Sequence, residues 1–307
     1  MDAALVFTQL LNGVQLGVLL FLVAAGLTLV FGIMDFVNLA HGALYMVGAF
    51  FCASVALWLD SFVLALLIAL PATFAVGFLV ELLVIRFLYH RDHLDQVLAT
   101  FGLILVFDTL VQLIWGPAGL TFALPPVLNG RVEIFGITEF PIYRLLIIAV
   151  GLLVAAVLYF IIQRTRVGML VRAGASNRTM VAALGVNIDN LFRFVFASGA
   201  MLAGLAGMMI APITEASIGM GSDILLVAFV VIIIGGIGSI RGAFIAALIV
   251  GLIDTMGRSF LDDLMKLFVS NQAAETSAPA LSAMLVYVLM AAILYFRPQG
   301  LFPPKVR

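Results

Sequence analysis

YRLLIIAVGLLVAAVLYFIIQ, residues 143–163, decides the fold: only Arg144 is charged. About 20 apolar residues, rising roughly 1.5 Å each as a helix, cross a hydrocarbon core of roughly 30 Å. The same texture recurs outward at 6–31, 40–58, 62–85, 95–115, 191–213, 223–239, 242–259 and 279–296. Over 307 residues the chain is 64% hydrophobic and 10% charged, with a mean hydropathy of +1.26. A lipid interior offers backbone groups no water, so each run must satisfy its own hydrogen bonds as a helix, and the runs are too long for barrel strands. The sequence therefore predicts an all-α polytopic transmembrane helix bundle of about eight or nine spans. The second span is the least regular, because Gly32, Asp35, Asn38, His41 and Gly42 interrupt the apolar texture just before it. If residues 32–58 are partly re-entrant, the count is eight.

The net charge is −1, with 15 Lys and Arg against 16 Asp and Glu. No global charge points to nucleic acid. The single cysteine, Cys52, lies in an apolar run and reads as a small buried hydrophobe. The residues Met1–Ala4 lack a basic region, so the first run reads as a retained span and not a cleaved signal. With nine spans, Arg86, Arg91, Arg164, Arg166, Arg172, Arg178, Arg193, Arg241, Arg297, Lys305 and Arg307 fall on one side, 11 of the 15 basic residues. The positive-inside rule makes that side cytoplasmic, with the N-terminus outside and the C-terminus inside. On the other side, 116–142 carries Gly116-Pro117, Pro125-Pro126 and Asn129-Gly130 and predicts a turn-rich loop. Residues 261–268 predict a short interfacial amphipathic helix.

Catalytic signatures are absent from the sequence. There is no phosphate-binding G-x-x-x-x-G-K-[ST] stretch, no Cys/His cluster with metal spacing and no Ser/His/Asp set, so no cofactor is expected and the chain does not read as an enzyme. His90 and His93 sit in a basic linker and read as solvated. Charged residues inside spans are costly and default to function. Glu81 and Asp254 have neighbours Arg86 and Arg258 at helical spacing and read as paired. Asp108 has no local cation, and marks either a polar path or a helix–helix hydrogen bond. Gly199, Gly204 and Gly207 predict close helix packing. Gly235, Gly236, Gly238, Ser239 and Gly242 predict a broken helix or tight hairpin, with a layout like that of 32–43.

The linker 164–190 is too polar to span. Within it, 176–184 suits a short helix that Ser176 or Asn177 can cap and Gly185 can end, with Met180, Ala183 and Leu184 on one face. Such a helix is shaped to plug into another protein, or to lie on the lipid headgroups.

At these residues a resemblance enters. GLTLVFGIMDFVNLAHG (26–42) resembles the signature of branched-chain amino acid ABC transporter permeases of the LivH type. The stretch from Arg172-Ala173 to Leu184-Gly185-Val186-Asn187 looks like that family's cytoplasmic coupling loop. Gly235–Gly242 and the ending Arg297-Pro298-Gln299-Gly300-Leu301-Phe302 are also similar. The likeness covers the whole chain as one permease domain, 1–307, with 164–190 as the coupling loop. Leu39 departs from the pattern, where the family often has Phe, and this leaves substrate selectivity open. The resemblance implies a multi-pass subunit of the bacterial plasma (inner) membrane without its own ATPase site. Implied partners are a second homologous permease subunit, two cytoplasmic ATP-binding subunits and an extracytoplasmic substrate-binding protein. The implied activity is import of branched-chain amino acids by alternating access; urea or short amides through the same machinery, or a stand-alone ion-coupled carrier, are the alternatives. ATPase coupling is expected at Arg172, Ala173, Asn177, Ala183, Leu184, Gly185 and Asn187. If 38–45 is helical, Asn38, His41 and Tyr45 share a face. That face is expected to border the path with Thr100, Gly102 and Asp108 and with Gly235, Gly236, Gly238 and Ser239. For His41 the alternative is a satisfied packing residue.

Overall fold

The computed structural model describes residues 3–302, and all the motifs above lie within them; Lys305 and Arg307 lie outside. The elements are α1 (Ala3–Met34), α2 (His41–Leu59), α3 (Phe62–Leu83), a 3-10 turn (Ile85–Leu88) and α4 (His93–Trp115), then β1 (Arg131–Ile134) and β2 (Thr138–Pro141). There follow α5 (Ile142–Arg164), α6 (Arg166–Ser176), α7 (Arg178–Ala183), α8 (Ile188–Thr214), α9 (Met220–Gly235), α10 (Ile240–Met265) and α11 (Asn271–Phe296). Among the described residues, eight helices are long and apolar enough to cross a membrane, and α9, with 16 residues, is a shorter apolar helix. The bundle is nearly all-α, as the run lengths require.

Three expectations change. The irregular segment before α2 does not shorten α2, which has 19 residues; the short element is α9. No separate interfacial helix forms at 261–268, because α10 runs on through Met265 and Lys266 bonds to Asp262 one turn back, at 2.7 Å. The 116–142 loop is not all turns: β1 and β2 pair antiparallel, Arg131 opposite Pro141.

α1 and α8 are the buried axes. Small residues let other helices approach them. A Cβ on Gly17 or Gly251 would collide with the facing backbone of α10 or α1, and Gly26 and Gly199 fit α1 against α8 in the same way. Gly204 and Gly207 receive α2 at Gly48 and Tyr45, so the expected close packing is present. The α9–α10 hairpin closes where Gly235 meets Gly242, with Ser239 Oγ accepting from Gly242 N at 3.1 Å to cap α10. The last carbonyls of α9 would otherwise lack donors. Leu301 N donates to Ile234 O at 2.8 Å and Phe302 N to Gly235 O at 3.1 Å, so the Pro-Gln-Gly-Leu-Phe ending caps α9.

The two ends of the bundle differ in charge. Met34 at the end of α1, the 89–93 linker, α6–α7 and the 236–239 turn meet at one end. The hairpin, where Thr8 bonds Thr138 and Phe7 stacks edge-on against Phe135, lies with the start of α1 at the other.

Candidate functional site

The α1–α2 break is built from the inside of the bundle. His41, the first residue of α2, donates from Nε2 to Val23 O at 3.1 Å. Val23 lies eleven residues before the end of α1, roughly 16 Å back along its axis. The chain therefore turns back into the protein over 35–40. Two polar side chains of α4 hold this extended segment. Gln96 Oε1 accepts from Val37 N at 3.1 Å, and Thr100 Oγ1 accepts from Leu39 N at 3.2 Å. Gln96 Nε2 also donates to Leu88 O and Arg91 O, tying the 3-10 turn to the break. Gln96 and Thr100 are buried, and only their i, i+4 spacing in an apolar run signals a shared task. No motif in the sequence marks Gln96.

Asn38 sits in the break and not on α2, because the helix starts only at His41; the helical face supposed for 38–45 does not exist as such. Asn38, His41 and Tyr45 are nonetheless all buried at this junction. Among the described residues, both amide atoms of Asn38 and Nδ1 of His41 have no hydrogen-bond partner. Buried polar groups without partners are costly and rare; Thr28 Oγ1 of α1 and Asp262 Oδ1 are the others among the described residues.

At the arginine-rich end a set of contacts joins six segments. The Arg178 guanidinium, on α7, donates to Met34 O at the end of α1 and lies 5.0 Å from the centre of the Phe192 ring of α8. Phe192 meets Tyr89 edge-on at 5.7 Å, and Tyr89 meets Phe36 of the break at 5.9 Å. The Tyr89 hydroxyl donates to Glu81 Oε1 at 2.9 Å. Burial and the Glu81 carboxylate push the phenol far above its usual range, so it remains a donor. Glu81 Oε2 accepts from Arg193 Nε at 2.9 Å, binding α3 to α8. Glu81 thus pairs with Arg193 and not with Arg86, which lies over the Phe87 ring; Asp254 does pair with Arg258, at 2.9 Å. A cavity of about 720 Å³ opens at this end among Gly32, Asp35, Tyr89, His93, Gln96 and Arg178.

The linker helix forms where its caps dictate. Asn177 Oδ1 accepts from Met180 N at 2.9 Å, and the chain leaves α7 through Gly185 at φ +83°. Asn187 then caps α8 through Asn190 N. Thr165 caps α6, so a second short helix precedes the expected one. Arg172, Asn177, Ala183, Leu184, Gly185 and Asn187 are exposed, and Ala173 is half-buried. Met180 and Leu184 expose 61% and 77% of their surface, whereas Val181 packs inward.

The residues expected along a path occupy three places. Asn38, His41, Tyr45 and Thr100 surround the break. Gly235, Gly236, Gly238 and Ser239 form the α9–α10 turn, where Gly238 touches Gly32 of α1, so the two glycine-bounded breaks meet. Gly102 and Asp108 lie half-exposed on α4.

A family profile described as "Branched-chain amino acid transport system / permease component" matches residues 9–294. The chain is 30% identical to the high-affinity branched-chain amino acid transport system permease protein BraD of Pseudomonas aeruginosa, over 95% of this chain and 94% of BraD. It is 31% identical to the high-affinity permease protein LivH of Escherichia coli, over 85% of this chain and 89% of LivH. A probable LivH of Methanocaldococcus jannaschii is 25% identical over 78% of this chain and 76% of its own length. No solved structure matches the chain. A match along nearly the whole membrane bundle, from α1 through α11, makes this chain a member of the permease-component family of branched-chain amino acid transport systems.

Proposed function

We propose that this chain is the membrane subunit of an ATP-binding cassette importer for branched-chain or related hydrophobic amino acids, working by alternating access. It forms one permease domain in the plasma membrane, with its arginine-rich end and C-terminus in the cytoplasm. It pairs with a second homologous permease, receives substrate from an extracytoplasmic binding protein, and is moved by two ATP-binding subunits docked on 164–190. The observation that carries this reading is α7: a capped helix at the arginine-rich end that exposes Met180, Ala183 and Leu184 while its Arg178 grips the end of α1. A push on α7 acts directly on the break that holds Asn38 and His41. Those residues offer donors and acceptors inside an apolar lining, the chemistry that a zwitterion with an aliphatic tail needs.

Two substitutions test the docking face. Gly185→Pro cannot adopt φ +83°, because the ring holds φ near −65°. Leu184→Asp keeps the backbone cap and places a carboxylate in the apolar contact. Each is expected to leave the chain inserted. Leu184→Asp should weaken capture of the ATP-binding subunits about 30-fold, the effect of losing a central contact worth ~2 kcal/mol. Pull-down from membranes measures this, and unchanged capture by both variants contradicts the docking role.

A further inference from the structure

Asn38 and His41 are both 0% exposed. The polar groups next to them are matched: Val37 N and Leu39 N donate to α4, and His41 Nε2 donates to Val23 O. That last bond assigns the imidazole tautomer and leaves Nδ1 as a lone-pair acceptor. Nδ1 and the whole Asn38 amide, which carries donor hydrogens and an acceptor oxygen, stay unpaired among the described residues. A buried group in this condition raises the energy of the state that holds it, and an apolar side chain of the same shape would not. Natural chains keep such conflicts chiefly at functional sites. A second observation falls at the same junction. A Cβ on Gly26 would press on the His41 ring and on Gly199 O, and Gly42, next to His41, meets Gly221 at the start of α9 backbone to backbone, where a Cβ on either would collide with the other's carbonyl. At Gly42 and Gly221 no side chain has to be withdrawn for the starts of α2 and α9 to part.

We propose that the Gly42–Gly221 contact parts to pass the solute, and that Asn38 and His41 are its solute-contacting groups, unpaired while the junction is closed and paired with the amino acid in transit. The Asn38 amide hydrogens meet the carboxylate, and Asn38 Oδ1 and His41 Nδ1 meet the ammonium. Because the closed junction leaves these atoms without partners, it sits above the energy that an apolar junction would have, and opening is eased. The inference rests on the importer reading above and adds to it which contact opens and what drives it open.

The test uses the assembled importer. Asn38→Leu keeps the side-chain size and removes every unpaired atom, whereas Thr100→Val removes the acceptor that Leu39 N uses. Thr100→Val is expected to lower the thermal midpoint. Asn38→Leu is expected to leave the midpoint unchanged or higher, while leucine uptake falls about tenfold or more, the loss of one hydrogen bond to a charged group. Asn38→Cys in a Cys52→Ala background gives a second readout that does not depend on stability. A small water-soluble methanethiosulfonate is expected to modify it several-fold faster during ATP-driven turnover than at rest, because the side chain is closed off in the resting junction. A lower midpoint for Asn38→Leu would mean that the amide has a permanent partner, and unchanged uptake would mean that its cost serves no step. Either result, or equal labelling with and without turnover, overturns the proposal while the importer reading stands. Leucine uptake by the unaltered complex without ATP overturns both.

Discussion

Glu81→Ala is expected to destabilise the chain by about 3–5 kcal/mol, the usual cost of stranding one half of a buried ion pair. The Glu81 side chain is fully buried and the Arg193 side chain is 18% exposed. Removing the carboxylate leaves the guanidinium without its anion and the Tyr89 hydroxyl without its acceptor. The pair joins α3 to α8, so its loss loosens the contact between these two helices. Thermal unfolding in detergent measures it. Arg193→Met alone should cost a similar amount. Glu81→Met with Arg193→Met should cost less than the sum, because no charge is left behind. Additive losses would show that the two side chains do not act as a pair.

Arg178→Ala is expected to uncouple transport from ATP hydrolysis. A hydrogen bond from a charged group contributes about 1.5–3 kcal/mol, so losing the grip on Met34 O should reduce amino acid uptake per ATP hydrolysed about tenfold or more. Hydrolysis itself should persist, because Arg178 points inward to Met34 and Phe192 and away from the exposed Met180–Leu184 face. Arg178→Lys should restore part of the ratio, as Lys keeps a charged donor but lacks the planar fork that also covers Phe192. If uptake and hydrolysis fall in proportion, Arg178 only holds α7 in shape and transmits nothing.

Much of this was legible from local chemistry. The α7 boundaries follow from Asn177 and Gly185, whose capping and left-handed preferences act within four residues. The apolar runs located the spans because lipid leaves the backbone one option. The failures are long-range or concern the continuity of a helix. Arg193 is 112 residues from Glu81, and nothing in the sequence near Glu81 prefers it over Arg86. The spacing of Asn38, His41 and Tyr45 suggests one helical face, but Gln96 and Thr100 hold the backbone of Val37 and Leu39 outside the helix. The amphipathic texture of 261–268 suggests an independent helix, yet α10 runs through Gly257 and Ser259 into it without a break. The composition of 116–142 showed its turns but not the β1–β2 pairing between them.

The most direct measurement is leucine uptake into proteoliposomes that hold this chain and its permease partner, with ATP-binding subunits and substrate-loaded binding protein added or omitted. Uptake is expected only when ATP and the hydrolysing subunits are present, and none is expected when a proton or sodium gradient is imposed without them. Sustained gradient-driven uptake by the permeases alone would contradict it.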